Sequence, residues 1–250
     1  MNSFFMMSSE NPPHFNGAYA EYYYLRPNHT VFKVPDQLTD DMVAPINCAL
    51  SQVIQGFKRV DLKFGENVVI QGAGGLGIYA TAVAKEMGAN KVIVIDGIDD
   101  RLKLAKLFGA DELIDMKTFK TPQERMTRVM ELTNSQGADV VAELVGFANV
   151  IPEGIDLLGS GGRLLEIGNI CIGNTFSYDP AMMVIFNKSI ICVGYYDALS
   201  LKQALDLMFR TKDKYPYEKI LSKTYPLEKI ETAFKEQDQG LVQRAAIAFE

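Results

Sequence analysis

The amino-acid sequence predicts an α/β protein built on a doubly wound parallel sheet. Three observations lead to this fold class. From residue 65 onward, short apolar runs typical of buried strands alternate with longer helical patterns. The strand runs are almost continuously apolar, as expected for a sheet covered on both faces. Right-handed crossovers between such strands then place helices on the two sides of the sheet.

The elements of the alternation follow in order, and each has a local signal. We predict strands at residues 67–71, 91–96, 112–114, 139–145, 163–167 and 190–195. We predict the intervening helices at residues 78–87, 99–108, 121–133 and 151–158. Gly88 and Gly109 stand just past two helix ends, where glycine accepts the left-handed conformation. Acidic residues at 99 and 100 suit the positive end of their helix.

The two ends of the chain show a different pattern. Residues 1–16 are polar and contain proline, so we expect them to be poorly ordered. Strand-like runs are predicted at 20–25 and 31–34, and residues 38–57 read as mostly helical. In the tail we predict helices at 199–209 and 227–236, with strand-like pieces at 219–221 and 244–249.

Composition narrows the classes of protein and of partner. The chain has 250 residues, 48% of them hydrophobic and 22% charged, which indicates a globular protein of one or two domains. A net charge of -6 without a basic run argues against nucleic-acid or membrane-surface partners. Three scattered cysteines without a CxxC pair indicate reduced thiols. With no signal peptide and no membrane-spanning apolar run, we expect a cytoplasmic protein.

The strongest motif is Gly72-Ala73-Gly74-Gly75-Leu76-Gly77. It follows a predicted strand and opens a helix, which is the context that gives a GxGxxG pattern meaning. Gly72 permits a tight turn, Gly74 lets the backbone approach a pyrophosphate, and Gly77 lets helix and strand pack closely. Free N–H groups at the helix start favour a phosphate anion. The motif predicts a dinucleotide site, against the alternative of a glycine-rich turn in another α/β protein.

Asp96 indicates which dinucleotide is bound. It ends the second strand, nineteen residues past Gly77, where a carboxylate can accept hydrogen bonds from the adenosine ribose hydroxyls. The same charge repels a 2′-phosphate, and Asp99 and Asp100 add to the negative field. Arg101 is the one residue that favours the phosphorylated cofactor, unless it is only a helix-surface cation. The sequence therefore predicts NAD.

With these residues in place, the chain resembles the medium-chain, zinc-dependent alcohol dehydrogenase family. The similar stretches run in order from residue 17 to the end: GAYAEYYYL, FKVPDQLTDDMVAPINCAL, GENVVIQGAGGLG, GANKVIVIDGIDDRLKLAKLFGAD, GADVVAELVG, GGRLLEIG and QRAAIAF. The resemblance implies a Rossmann domain joined to a GroES-like β-barrel. Residues 48–211 would form the NAD-binding domain, 17–47 a partial barrel segment with connector, and 212–250 the return to the barrel.

The resemblance also implies site residues. The family's glycine fingerprint covers residues 72–77, including Gly75 and Leu76, and its ribose-binding acid and nearby basic residue match Asp96 and Arg101. A late arginine that reaches the pyrophosphate is similar to Arg244. The turn Ile167-Gly168 lies where the family passes near the nicotinamide. The third ligand of the catalytic zinc matches Cys48, which as a thiolate suits zinc.

The zinc site departs from the family pattern. The other zinc ligands of the family lie in a barrel segment that this chain lacks, and the four-cysteine structural zinc lobe is missing. The only histidines, His14 and His29, have no Gly-His-Glu context. Two explanations stay open: the chain is part of a longer enzyme, or it is a natural form that binds cofactor without zinc chemistry. Cys48 is either an orphaned zinc ligand or a small buried thiol.

The function implied is hydride transfer between a secondary alcohol or polyol and NAD, with the substrate pocket partly outside this chain. The sequence at residues 45–50 and 166–170 resembles the branches of the family that act on polyols, amino alcohols or cyclic terpene alcohols. The rival is a non-catalytic NAD(H)-binding module. We also expect a homodimer through the last strand, as in this family.

Two other patterns carry no prediction. Tyr215 and Lys219 have the spacing of the short-chain dehydrogenase pair, but Pro216 interrupts the helix that this pair needs. Asn28-His29-Thr30 matches a glycosylation acceptor, which a cytoplasmic chain would leave unused.

Overall fold

The computed structural model describes Glu10, Pro12 and residues 17–242 and 244–249. The expectation of a poorly ordered segment 1–16 therefore lies outside the described residues, except at two positions. The chain divides into two compact units. One comprises residues 34–220, and the other combines the described parts of 1–33 and 221–250.

The unit 34–220 is built on a six-stranded parallel sheet, which confirms the predicted fold class. The strands in chain order are β1 (Asn67–Gln71), β2 (Lys91–Asp96), β3 (Glu112–Asp115), β4 (Ala138–Glu143), β5 (Leu158–Glu166) and β6 (Ser189–Cys192). Their spatial order is β3-β2-β1-β4-β5-β6. The order reverses between β1 and β4, and this switch point opens a crevice at the carboxyl ends of the strands.

Helices connect the strands as the alternation predicts. They are α1 (Asp40–Val43), α2 (Ser51–Arg59), α3 (Gly75–Glu86), α4 (Asp99–Leu107), α5 (Pro122–Leu132), α6 (Ile151–Leu157), α7 (Pro180–Ile185) and α8 (Ala198–Thr211). A π-helical turn, Ile46–Leu50, precedes α2. Thr121 begins α5 with a capping box that includes Glu124, as expected for this pairing of residue types. The short helix α7 is absent from the sequence prediction.

Alternate residues of the strands fill two buried layers. On one face, Val69, Val141 and Leu164 pack with Ile155 of α6 in a buried apolar cluster. On the other face, Gly56 of α2 lies so close to the sheet that an added Cβ would be 2.8 Å from a methyl carbon of Ile167. Burial on both sides explains why the strands read as nearly continuous apolar runs.

The second unit contains a small parallel pair of strands, β7 (Lys223–Pro226) and β8 (Ala245–Ala248), joined through α9 (Ile230–Asp238). Within the same unit the ring of Tyr19 meets that of Phe234 edge to face, with centroids 5.5 Å apart.

Three sequence predictions at the ends of the chain are wrong. Residues 20–25 and 31–34 are not strands, because in the part of the chain that the structure describes they pair with no neighbour, and most of their side chains are exposed. Residues 219–221 are not a strand either. A 3₁₀ turn ends at Lys219, and the strand begins at Lys223.

Candidate functional site

The glycine-rich loop connects β1 to α3 at the switch point. Gly72 has a φ of +90°, a conformation open to glycine and strained for other residues. Gly74 is the N-cap of α3, and the first intrahelical hydrogen bond runs from Ile78 N–H to Gly74 O at 3.0 Å. Among the described residues no side chain caps this helix. The N–H groups of its first turn, from Gly75 through Leu76 to Gly77, are therefore placed to bind an anion.

The three fingerprint glycines differ in what an added side chain would meet. A Cβ on Gly77 would lie 1.8 Å from Gly72 O, because helix and loop are in backbone contact there. A Cβ on Gly72 would lie 2.9 Å from a methyl carbon of Val145. A Cβ on Gly74 would meet no described atom within 4 Å. The space beside Gly74 is therefore open, and a side chain at this position would project into it.

Asp96 holds the loop from the end of β2. It is 6% exposed. Its Oδ2 accepts a hydrogen bond from Ala73 N–H at 2.7 Å, and its Oδ1 accepts one from Ile98 N–H at 2.8 Å. Charge-assisted bonds of this kind are about twice as strong as neutral ones. Each carboxylate oxygen keeps a further lone pair, so Asp96 can fix the loop and still accept a ribose hydroxyl.

The charges beside Asp96 are largely paired. Nη1 of Arg101 lies 4.0 Å from Asp96 Oδ2. Asp99 forms an ion pair with Lys117 at 2.6 Å, and Asp100 forms one with Lys103 at 2.8 Å. These lysines offset much of the negative field that the sequence suggested for Asp99 and Asp100. Of these three carboxylates, Asp96 is the one without a lysine partner among the ion pairs of the described residues.

The turns after β4 and β5 form a second part of the crevice, and two glutamates there were missed by sequence reasoning. Gly168 N–H donates to Glu143 O at 3.1 Å, so the turn Ile167-Gly168 lies against the end of β4. Glu143 is fully buried and Glu166 is half-buried, although each ends a strand. The only sequence signal was an acidic residue inside a predicted strand that is otherwise mostly apolar.

The remaining predicted residues lie elsewhere. Arg244 is half-buried in the second unit, where its N–H meets Ser222 Oγ at 3.3 Å. Cys48 is on the π-helical turn and is exposed, so the interpretation as a small buried thiol is wrong. In the described ranges no group of three or more His, Cys, Asp and Glu residues could hold a metal ion. The donor set around Cys48 does not fit a zinc ion.

Tyr215 does not pair with Lys219 as in short-chain dehydrogenases. Its hydroxyl donates to Glu86 Oε1 at 2.8 Å, and its ring stacks on Phe108. Burial and the Glu86 carboxylate raise the pKa of Tyr215, the opposite of what a tyrosine general acid needs. None of the helices in the described part of the chain combines the length and the apolar character that a membrane span requires.

The strand order and the glycine-rich turn define the unit 34–220 as a Rossmann-type α/β domain. Comparison with known proteins then gives the family. The sequence profile described as "Zinc-binding dehydrogenase" matches residues 75–210. The chain belongs to this family of medium-chain, zinc-dependent alcohol dehydrogenases, as the resemblance predicted.

The relatives carry related names and are longer. The chain is 31% identical over 235 residues to 5-exo-hydroxycamphor dehydrogenase of Pseudomonas putida, covering 94% of this chain and 64% of that protein. It is 29% identical to L-threonine 3-dehydrogenase of Idiomarina loihiensis, covering 90% of this chain and 62% of the relative. A solved alcohol dehydrogenase of Thermotoga maritima superposes with a TM-score of 0.90 at 26% identity, covering 98% of this chain and 67% of the other. The chain thus spans less than two thirds of these two sequence relatives.

Proposed function

We propose that the Rossmann unit binds NAD(H) at the Gly72–Gly77 loop and acts as the cofactor-binding part of an alcohol dehydrogenase. The observation that carries this proposal is the open space at Gly74, beside an uncapped helix start and a buried carboxylate, which we assign as the pyrophosphate cradle. The loop N–H groups would take the pyrophosphate, and Asp96 and Arg101 would flank the adenosine ribose. When bound, NAD supplies the hydride acceptor.

The same proposal assigns residues to the nicotinamide and to the pyrophosphate of the cofactor. Ile167 and Gly168 would border the nicotinamide, because their turn lies beyond the switch point at the carboxyl edge of the sheet. Arg244 is proposed as a pyrophosphate ligand on the family resemblance alone. We assign residues 48–211, which lie within the compact unit 34–220, to the cofactor domain. We assign residues 17–47 and 212–250 to the connector and barrel segments.

We expect the unmutated chain to bind NADH at least tenfold more tightly than NADPH, and Asp96→Gly to erase that difference. The carboxylate both accepts the ribose hydroxyls and repels a 2′-phosphate. A tenfold preference corresponds to about 1.4 kcal/mol. The measurement is a pair of fluorescence titrations, with Asp100→Gly as the matched control that should keep the preference. Equal affinities for the two cofactors in the unmutated chain would contradict the assignment.

The substrate class is proposed from the relatives. Their names specify a hydroxycamphor and threonine, both of which carry a secondary hydroxyl group. We infer that the reaction of the family member to which these residues belong is hydride transfer between a secondary alcohol, including polyols, and NAD. Cys48 is the one residue matching a zinc ligand, and because its surroundings do not fit the metal, no catalytic step is assigned to it.

The alternative is a non-catalytic NAD(H)-binding module. Two observations favour it. The glycine fingerprint is complete, and the described part of the chain contains no group of three residues that could hold a metal ion. Both proposals predict NADH binding without turnover by the 250-residue chain, and a longer reading frame that encodes the barrel segment would favour the dehydrogenase over the module.

We also propose a cytoplasmic homodimer joined through β6. This strand is at one end of the sheet and pairs only with β5 among the described strands, which leaves an open edge. Ile190 and Ile191 make this edge apolar. We expect a dimer in sedimentation experiments at micromolar concentration. A monomer under those conditions would contradict the proposed pairing.

A further inference from the structure

A row of polar side chains crosses the sheet at the carboxyl end of its strands. The register pairs Gln71 with Glu143, and Glu143 with Glu166. Paired residues of parallel strands point to the same face, here the face whose preceding residues form the apolar cluster beneath α6. The two glutamates therefore extend a hydrophobic layer, where a pair of ionised carboxylates is costly.

Each glutamate fixes the turn that follows its own strand. Glu143 Oε1 accepts hydrogen bonds from Val145 N–H at 2.7 Å and Gly146 N–H at 2.8 Å. Glu166 Oε1 accepts one from Asn169 N–H at 2.9 Å. The Oε2 atoms of both glutamates are buried and, within the described residues, receive no hydrogen bond from any donor. One oxygen of each carboxyl group thus positions a turn, and the other lacks a partner.

The groups that face Glu166 favour its protonated form. Burial, with a smaller contribution from the Glu143 carboxylate, raises the pKa of Glu166 to about 8, against the lowering effect of Asn169 N–H. On the other side, β6 presents the Cys192 thiol, whose own pKa is raised by burial and by Glu166. In the part of the chain that the structure describes, no cation contributes to the pKa of Glu166.

We propose that Glu143 and Glu166 share one proton, which joins the turn after β4 to the turn after β5. The register places the two side chains next to each other on one face of adjacent strands, so a proton on Glu166 can be donated to Glu143 and give the buried oxygens a partner. The turns already touch: a Cβ on Gly146 would lie 2.9 Å from Gly168 O. Loss of the proton leaves two adjacent buried anions, whose repulsion opposes this contact.

The shared proton has a consequence for cofactor binding that rests on the proposed function. The two turns border the crevice beyond the switch point, so their contact shapes the surface assigned to the nicotinamide. Glu143 and Glu166 act as positioning residues, because their own contacts are with backbone and with each other. The protonated pair is the form that binds NADH well, and affinity falls as the pH rises through the pKa of Glu166.

The proton itself is tested without any cofactor. In the full chain labelled with ¹³C at glutamate carboxyl carbons, we expect one carboxyl resonance to titrate near pH 8 and to disappear in Glu166→Gln. Because this pKa is raised by folding, the pair's contribution to the free energy of unfolding should also decline as the pH rises toward that value. If every glutamate in the unmutated chain titrates in the ordinary acidic range, the shared proton is disproved. The labelled, unmutated chain decides this even if the variant does not fold.

The positioning role is tested by NADH titration. For a pKa of about 8, only about a tenth of the chains keep the proton at about pH 9, so the Kd should rise about tenfold from neutral pH. Glu166→Gln, whose amide can still donate to Glu143, should show little change, and the exposed Glu131→Gln should keep the tenfold rise. A tenfold rise that persists in Glu166→Gln would overturn the positioning role. Failure to bind NADH at any pH would overturn the proposed function instead. The carboxyl titration would still show whether Glu143 and Glu166 share a proton.

Discussion

Replacing Gly77 with alanine is expected to abolish NADH binding and to lower the free energy of unfolding by about 3 kcal/mol. The added Cβ would lie 1.8 Å from Gly72 O, and both atoms belong to backbone-defined positions, so no side-chain rotation relieves the clash. The start of α3 must move away from β1, which removes the N–H groups from the crevice. Chemical denaturation and NADH fluorescence measure the two effects, and the absence of tryptophan from the chain simplifies the fluorescence.

Gly74→Ala is the matched variant that separates binding from folding. Its Cβ enters open space and its φ is −69°, so stability should change by no more than about 1 kcal/mol. The same methyl group occupies the proposed pyrophosphate cradle, and NADH affinity should fall at least about tenfold. Tight NADH binding by a stable Gly74→Ala chain would show that the cofactor does not use this loop.

The second large effect concerns zinc and turnover. We expect the purified 250-residue chain to contain no stoichiometric zinc and to reduce no NAD with secondary alcohols or polyols. A catalytic zinc site in this fold class needs about three protein ligands, and affinity comes from their joint preorganisation. Cys48 is exposed and belongs to no three-residue donor cluster among the described residues. Metal analysis of the purified chain measures the zinc content, and an assay with a panel of secondary alcohols and polyols measures NAD reduction.

Cys48→Ser is the control for this prediction. If Cys48 binds no zinc, the variant should match the parent in metal content and in NADH affinity. Stoichiometric zinc that disappears in Cys48→Ser, together with chelator-sensitive reduction of NAD, would show that Cys48 belongs to a metal site and that the chain is catalytic.

The Rossmann unit was predictable because its signals are local. The strands β1 and β2 have the predicted bounds, since each is a buried apolar run between turn residues. The glycine motif and Asp96 are close in sequence, and the hydrogen bond from Ala73 N–H to Asp96 Oδ2 brings them together in space. Glycines at a tight turn and a helix start leave a pattern that a single sequence can show.

The missed features depend on contacts between distant segments. Glu143 and Glu166 are 23 positions apart, and only the register of β4 with β5 makes them neighbours. In sequence each looks like an ordinary polar residue within a predicted strand. The strand prediction at 20–25 failed for the opposite reason, because a tyrosine-rich run is typical of a strand but the described residues supply no partner for it. Strand pairing between segments that are distant in sequence determines both the contact of the two glutamates and the absence of a strand at 20–25.

Hydrogen–deuterium exchange of the full chain with and without NADH tests the central claim most directly. If NADH binds at the glycine-rich loop, peptides covering residues 72–78, 96–101 and 166–169 should be protected by the cofactor, because these segments border the proposed site. Gly74→Ala should lose the protection while keeping the exchange pattern of the free protein. Protection confined to other segments, or no protection at saturating NADH, would contradict the assignment of this loop as the cofactor site.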